Sequence, residues 1–341
     1  MHMITLSKIA LAVSALMLGS LAFGAPDEPM LSPNVAQAKK QDKGTRLILL
    51  GTAGGPILNE KRSQPSSMLV VDGRPYLIDA GEGTVVQLAR AGFSSFDIQR
   101  LFLTHLHFDH TAGLSSLIAF NWISGERQHL DVFGPPGTTQ VVADAVKYYE
   151  VSENIYSPQL PPHPKMKDIV TAHEVDVTLP KIIYQDDKVR VTAVENTHYS
   201  TLHMEPPSYG PVRSYSFRFE TADKVVVFSG DTGPSDALRN LAQGADILVS
   251  EVIDLPRTIA ILEQRFTLPA DRMAAFVNHM RVEHLVPEEV GKLAAAANVR
   301  MVILTHISPG EAKERTSAPY TDGVRKYYRG PIVLGADLNE F

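Results

Sequence analysis

The feature that most constrains this chain is a cluster of histidines directly after an apolar run. Residues 101–103 have the character of a buried strand end, and His105 and His107 follow two positions apart. Side chains repeat with a period of two along an extended chain, so both imidazoles should lie on one side. Asp109 and His110 follow where the chain turns, and they can approach from another direction. Imidazole and carboxylate ligands suit a tetrahedral Zn²⁺ site, so the cluster predicts a metal centre rather than a His-rich surface loop.

The same segment carries the pattern His-x-His-x-Asp-His, and through it the chain resembles the metallo-β-lactamase-fold hydrolases. Within that superfamily it resembles the branch of ribonuclease Z, related phosphodiesterases and a secreted arylsulfatase group, from about Leu47 onward. The resemblance implies an α/β fold, a four-layer αβ/βα sandwich of two mixed sheets flanked by helices, with a metal site at the strand-end edge. Strands that alternate with helical patterns along the chain favour the same class. The resemblance also implies that Asp79 supports the metal site without binding metal.

Three later positions can complete the metal site, and each follows a predicted strand. His198 lies just past one such strand, with His203 as a local competitor. Asp231 lies on a Gly-flanked turn, where the alternative is the start of a following helix. His306 follows a third strand near the C-terminus. The ligand sets that the resemblance implies are His105, His107 and His198 for one metal, Asp109, His110 and His306 for the other, and Asp231 with a hydroxide as the bridge.

Two further residues are candidates for the departure of the leaving group. The resemblance to ribonuclease Z implies this role for a histidine before a helix and a glutamate at a strand end, which correspond to His284 and Glu251. The sequence departs from the pattern of those relatives, because Leu285 and Val286 follow the histidine where Ser-Thr would stand. The alternative is that His284 only packs near the start of the helix. Asp109 could in addition orient the nucleophile or receive its proton.

These residues predict an exported dinuclear zinc-dependent hydrolase, with two Zn²⁺ per chain, that cleaves a phosphodiester or a sulfate ester. Mn²⁺ or Fe would also suit His and carboxylate ligands. The alternatives are a β-lactamase or lactonase with the same metal centre, a ribonuclease Z-type tRNA 3′-processing endonuclease, and a metal-binding scaffold without turnover. A formal net charge of −6 gives no electrostatic case for nucleic acid, so a small anionic ester is the expected partner. Arg213 and Arg257 are candidates to contact that anion, and a homodimer stays open.

The N-terminal residues 1–24 have the pattern of a signal peptide. Lys8 supplies a positive start, residues 9–23 are apolar or small, and a small-x-small cleavage site follows. The apolar run is too short to predict a stable membrane span after signal cleavage, although an uncleaved anchor is the alternative. The expected location is therefore periplasmic or secreted.

The rest of the chain divides into a lead-in and one hydrolase domain. Residues 25–44 are polar and predict a mobile lead-in, and residues 45–341 form the domain. Four prolines interrupt the periodicity within residues 152–182, which predicts an insertion near the site. The chain has no cysteine, which excludes a disulfide framework and any thiolate ligand for the metal.

Overall fold

Two β-sheets that pack face to face form the centre of the molecule. The computed structural model describes residues 43–55, 57–123, 129–311 and 316–341. The strands of the first sheet are β1 Thr45–Gly51, β2 Ser66–Val71, β3 Arg74–Ile78, β4 Arg100–Phe102, β5 Leu130–Gly134 and β6 Val170–Glu174. The strands of the second sheet are β7 Lys181–Gln185, β8 Arg190–Glu195, β9 Tyr215–Glu220, β10 Val225–Phe228, β11 Ile247–Ile253, β12 Met301–Ser308 and β13 Ile332–Leu334.

Both sheets are mixed in the same way. In the first sheet β1, β2 and β3 pair antiparallel, and β3 to β6 pair parallel. In the second sheet β7 to β10 pair antiparallel, and β10 to β13 pair parallel. Parallel strands end at the same edge of a sheet, so the loops that follow β4, β10 and β12 can meet there.

The strands alternate between two hydrophobic layers. Leu49 and Val226 point into the layer between the sheets, whereas their neighbours Ile48 and Val227 point outward against helices. This is the period of two that a strand buried on both faces requires. The sheets and their helices therefore form four layers, and the predicted fold class is confirmed.

Helices cover the outer faces of both sheets. In the described part of the chain, none of them has the length and apolarity that a membrane crossing requires. The helices are α1 Thr84–Arg90, α2 Phe108–Thr111, α3 Leu114–Ile123, α4 Thr138–Tyr148, α5 Glu150–Tyr156, α6 Asp236–Leu241, α7 Leu255–Arg265, α8 Ala270–Val282, α9 Pro287–Ala296 and α10 Ala318–Arg325.

The structure describes one of the two predicted segments that precede or interrupt the domain core and leaves most of the other outside the described residues. Within the predicted insertion 152–182, β6 is the edge strand of the first sheet and β7, which begins at Lys181, is the edge strand of the second. The short alternating runs in this stretch pair with β5 and β8, which the proline-rich composition did not indicate. The predicted signal peptide 1–24 lies outside the described residues, as does the lead-in except for residues 43–44.

The C-terminal Asp337 holds the glycine-rich turn after β1 in place. Its Oδ1 accepts hydrogen bonds from the backbone N–H and the hydroxyl of Thr52, at 3.0 and 2.7 Å. Its Oδ2 accepts from the backbone N–H of Ser63 and from Nε2 of Gln87, at 2.6 and 2.7 Å. The turn is thereby fixed beside the strand-end edge, where Gly55 lies next to Asp109 and His306.

Candidate metal centre

Three histidines from the two sheets converge on one point. His105 Nε2 lies 3.1 Å from His107 Nδ1, and His107 Nδ1 lies 3.2 Å from His198 Nε2. Nitrogen ligands at about 2.0–2.1 Å from a tetrahedral zinc lie about 3.3 Å apart, which is close to these separations. His105 and His107 follow β4 and His198 follows β8, so this trio joins both sheets.

The other ring nitrogens of this trio have their own partners. His105 Nδ1 lies 3.0 Å from the hydroxyl of Thr104, and His198 Nδ1 donates to the backbone carbonyl of Glu283 at 3.1 Å. Burial lowers the pKa of His105 and of His198 well below the ordinary histidine value. Both rings are therefore neutral at pH 7, and the bond from Nδ1 leaves Nε2 of His198 as a lone-pair donor.

A second trio lies beside the first. His110 Nε2 is 3.7 Å and His306 Nε2 is 3.6 Å from Asp109 Oδ2. The short helix α2 begins directly after His107 and turns Asp109 and His110 into this second position. All three residues are buried, and their ligating atoms lie within 4.8 Å of one another.

A β-bulge brings His306 into the site. Glu251 pairs with Thr305 and Val252 pairs with Ile307, so His306 is an extra residue in β12. Its φ of +42° is in the left-handed region, which is uncommon for a residue other than glycine. Bulges re-aim a side chain next to active sites, and this one sends the imidazole to the strand-end edge.

Asp231 lies between the two trios. Its Oδ2 is 3.0 Å from His306 Nε2, and 3.9 and 4.0 Å from Nε2 of His105 and His198. Its Oδ1 is 3.4 Å from His110 Nε2. Burial would raise the pKa of this carboxyl, but the imidazoles of His306 and His110 hold it well below its usual range. One carboxylate is therefore in reach of both trios, which is the position of a bridging ligand.

The residues present fit a bound cation. Among the described residues His110 Nε2 and Asp231 Oδ1 are buried side-chain atoms without a hydrogen-bond partner. Leaving such a buried atom unpaired costs about 1–3 kcal/mol, and a metal ion would use both lone pairs. The donor set consists of imidazole nitrogens and carboxylate oxygens, which suits zinc.

Asp79 supports this arrangement from behind. Its Oδ2 accepts a hydrogen bond from His110 Nδ1 at 2.8 Å, and its Oδ1 accepts from the backbone N–H of Thr104 at 2.8 Å. The first contact turns His110 Nε2 towards the site, and the second fixes the chain just before His105.

His284 and Glu251 form a buried pair next to the second trio. His284 Nδ1 lies 2.7 Å from Glu251 Oε2, and the His284 ring stacks on that of His306 at a centroid distance of 5.9 Å. The backbone N–H of Thr232 donates to Glu251 Oε1 at 2.5 Å. Burial raises the pKa of the Glu251 carboxyl. Burial alone would lower the pKa of His284, but the neighbouring Glu251 carboxylate more than offsets this effect, so the pKa of His284 is raised. Glu251 lies inside β11 rather than at its end, which the sequence pattern did not predict.

The two arginines predicted to contact an anion are already paired. Arg213 Nη1 lies 2.8 Å from a carboxylate oxygen of Glu195, and Arg257 Nη2 lies 2.6 Å from one of Glu311. Each guanidinium is thus held by a carboxylate of the protein, and its contact with an anionic substrate stays a prediction.

Sequence reasoning missed Glu283, which connects several parts of the site. Its carbonyl orients His198, and its carboxylate accepts from the backbone N–H and the hydroxyl of Thr201 at 2.5 and 2.6 Å. The same carboxylate contacts Nδ1 of His279. No local pattern could have indicated this role, since it depends on the end of α8 packing against the loop after β8.

Comparison with known proteins agrees with this geometry. The family model of the β-lactamase superfamily domain matches residues 74–307. The chain belongs to the metallo-β-lactamase superfamily. Ribonuclease Z of Mycolicibacterium gilvum (strain PYR-GCK) is 31% identical over 303 residues, which cover 86% of this chain and 94% of that protein. This member of the superfamily is thus a metal-dependent hydrolase distantly related to ribonuclease Z.

Solved structures show the same fold at lower identity. The short form of human tRNase Z has a TM-score of 0.59 at 19% identity, over 87% of this chain and 98% of that one. Zn²⁺-bound PqqB from Methylobacterium extorquens has a TM-score of 0.55 at 16% identity, over 87% and 99% of the two chains. At these identities the likeness concerns the fold alone.

Proposed function

We propose that the protein is an exported dinuclear zinc-dependent hydrolase that cleaves a phosphodiester or a sulfate ester. The observation that carries this proposal is the convergence of seven buried or partly buried side chains from both sheets on one strand-end edge. The similarity to ribonuclease Z supports a phosphate ester, and the zinc in PqqB supports the choice of metal. The residues that would hold two ions are His105, His107, His198, Asp109, His110, His306 and Asp231.

When bound, two divalent ions supply a water nucleophile that ionises near neutral pH and neutralise charge at the attacked centre. Asp109, one of the candidate ligands, could orient the water nucleophile or receive its proton. Burial lowers the pKa of His105 and of His198, so these imidazoles are unprotonated at neutral pH. Burial opposes protonation of His110 and His306 too, but the neighbouring carboxylates, Asp231 first, raise the pKa of His110 well above its ordinary value and that of His306 to about 10, so a metal ion must displace protons in the second trio.

The His284–Glu251 pair is suited to protonating the leaving oxygen. Nδ1 of His284 donates to Glu251, so the proton available for transfer is the one on Nε2. The carboxylate stabilises the protonated ring, and general acids of this kind contribute about 10²–10⁴-fold to rate. An ester with a poor leaving group requires protonation of this kind, because its leaving oxygen is too basic to depart as an anion.

The substrate we propose is a small anionic ester, and the location is periplasmic or secreted. The net charge of −6 would repel a long polyanion, and residues 1–24 carry the pattern of an export signal. A ribonuclease Z-type tRNA endonuclease is the second candidate, favoured by the 31% identity to that enzyme.

The test uses zinc-loaded protein with bis(4-nitrophenyl) phosphate, 4-nitrophenyl sulfate, nitrocefin and a precursor tRNA. We expect hydrolysis of at least one of the first two, and its loss in His107→Ala. The control is His203→Ala, because His203 is exposed and lies in the loop after β8, outside the set of candidate ligands. Cleavage of nitrocefin alone would establish the β-lactamase alternative, and cleavage of precursor tRNA alone would establish the endonuclease.

A further inference from the structure

A pocket of about 390 Å³ lies beside the metal centre, on the side of His306. The helices α7 and α8 form one wall, and the turn after β1 together with the end of β12 forms the other. Its lining residues include Gly54, Gly55, Ile261, Leu262, Phe276, Met280 and Ser308.

The pocket borders the candidate metal centre at Gly55. The backbone N–H of Gly55, which lines the pocket, lies 3.4 Å from His306 Nε2. A Cβ at Gly55 would fall 1.7 Å from Asp109 Oδ2, so the chain here touches a candidate ligand directly. Gly55 therefore separates the pocket from the candidate ligands by the thickness of one backbone segment, and a molecule with its head at the metal centre would reach the pocket by passing over Gly55.

The wall formed by the two helices is apolar. Leu262 and Met280 are buried in a small hydrophobic cluster, and Phe276 packs against that cluster while remaining partly exposed. Ile261 also lines the pocket. An aliphatic or aromatic group placed against these side chains would be removed from water, which is favourable in proportion to the apolar area buried.

Among the described residues, the charged side chains around the pocket show no excess of positive charge that would attract further anions. Glu60 and Glu311 line it together with Arg265, and Glu311 already pairs with Arg257. A polynucleotide would place additional phosphates near these carboxylates, whereas an uncharged hydrocarbon group meets no such repulsion.

We propose that this pocket binds the uncharged alkyl or aryl group of a small ester whose anionic head lies at the metal centre. This inference rests on the proposed function and names the class of substrate: a monoanionic ester with one apolar substituent, rather than a polynucleotide. Phe276 is then a residue that determines specificity through contact with that substituent.

The test compares the binding of methylphosphonate and hexylphosphonate to zinc-loaded protein by calorimetry. The two probes share one head group and differ by five methylenes. A fully buried methylene is worth about fourfold in affinity, so burial of about half of them should make hexylphosphonate about 30-fold tighter.

Matched variants locate the effect. Phe276→Ala should reduce the ratio of the two affinities by about fivefold or more, and Phe276→Leu should keep most of it, because an apolar wall remains. Phe266→Ala is the control, since Phe266 is 42% exposed on the same helical pair and does not line the pocket. Thermal unfolding checks that each variant is folded.

Three results would overturn the proposal. They are equal affinity for both phosphonates, no binding of either, and a reduction of the affinity ratio in Phe266→Ala as large as that in Phe276→Ala. Hydrolysis of bis(4-nitrophenyl) phosphate and of 4-nitrophenyl sulfate is measured separately. Chain-length-dependent binding without hydrolysis of either ester would refute the proposed cleavage of these esters and retain the pocket. Hydrolysis without chain-length dependence would do the reverse.

Discussion

The two sheets contribute to the metal centre in different ways. The first sheet supplies four candidate ligands from residues 105–110, directly after β4, whereas the second supplies His198, Asp231 and His306 from three separate strands. Neither trio is complete within one sheet, because His198 closes the first trio and His306 closes the second. A local motif thus defines the chemistry, and the packing of the sheets completes it.

Removal of Asp231 should break this arrangement most severely, since its two carboxylate oxygens are in reach of both trios. We expect Asp231→Ala to lower zinc affinity by more than about 100-fold, because changing even the residues behind metal ligands costs about 10–100-fold. Zinc content after dialysis, measured by atomic emission, checks this. Asp236→Ala is the control, as that carboxylate is exposed and pairs only with Arg239 in the described structure. Retention of two zinc ions in Asp231→Ala would refute the bridging role.

The His284–Glu251 pair tests whether the second sheet contributes to catalysis beyond holding metal. We expect His284→Ala to lower kcat by about 100-fold with a poor leaving group, and by much less with 4-nitrophenolate, which leaves without a proton. Zinc content should not change. An equal loss with both leaving groups would indicate a structural role instead.

The same pair predicts a pH dependence. The Glu251 carboxylate raises the pKa of His284 above the ordinary 6.5 despite burial, so the protonated ring persists to higher pH. Activity with a poor leaving group should therefore fall only as pH rises through this elevated pKa. Glu251→Gln removes the charge that favours the protonated ring, so the alkaline limb should move to lower pH. If the alkaline limb of the pH profile does not move in this variant, the limb reports the titration of another group.

A substitution at Asp79 tests how the first sheet orients the ligand His110. Asp79→Asn should weaken zinc binding by about tenfold, because the amide can still contact His110 but no longer carries the charge that favours Nδ1 protonation. Competition with a fluorescent chelator measures the affinity. Unchanged affinity would show that burial alone orients His110.

The smallest effect concerns a contact between the sheets away from the metal. Asp186 Oδ2 accepts from the hydroxyl of Tyr76 in β3 at 2.7 Å and from that of Tyr184 in β7 at 2.8 Å. Burial opposes ionisation, but these hydrogen bonds and backbone N–H groups lower the pKa of Asp186 to about 2. The stability it contributes is therefore present above pH 3.8 and is lost as pH falls towards 2.

We expect Asp186→Asn to reduce the free energy of unfolding at pH 7 by about 1–2 kcal/mol, after allowance for solvent screening. Urea unfolding of metal-free protein measures it, so that zinc does not contribute. The neighbour Asp187, which is exposed and pairs with Arg74, is the control, and Asp187→Asn should change stability by less than about 0.5 kcal/mol.

The contrast between the sheets also explains what the sequence could predict. The ligands at 105–110 are adjacent, so their spacing and residue types indicated a metal site. The alternation of strands and helices indicated a layered α/β domain, and the four-layer sandwich was implied by the family resemblance. The geometry at His306 depends on a bulge that no residue pattern announces, and Glu283 acts through its backbone carbonyl. Helices α7 and α8 carry mixed polar and apolar residues, which is why the apolar wall they form was not predicted.

The division of each trio between the sheets has a consequence for the apoprotein. Zinc at 100 times its dissociation constant would add about 2.7 kcal/mol of stability per site, and that energy acts across the boundary between the halves. Chelation would leave the apolar layers intact while removing this cross-link. Amide hydrogens in the loops after β4 and β8 would then exchange with solvent sooner than those of the central strands, which makes the supply of metal a determinant of how long the folded protein resists proteases.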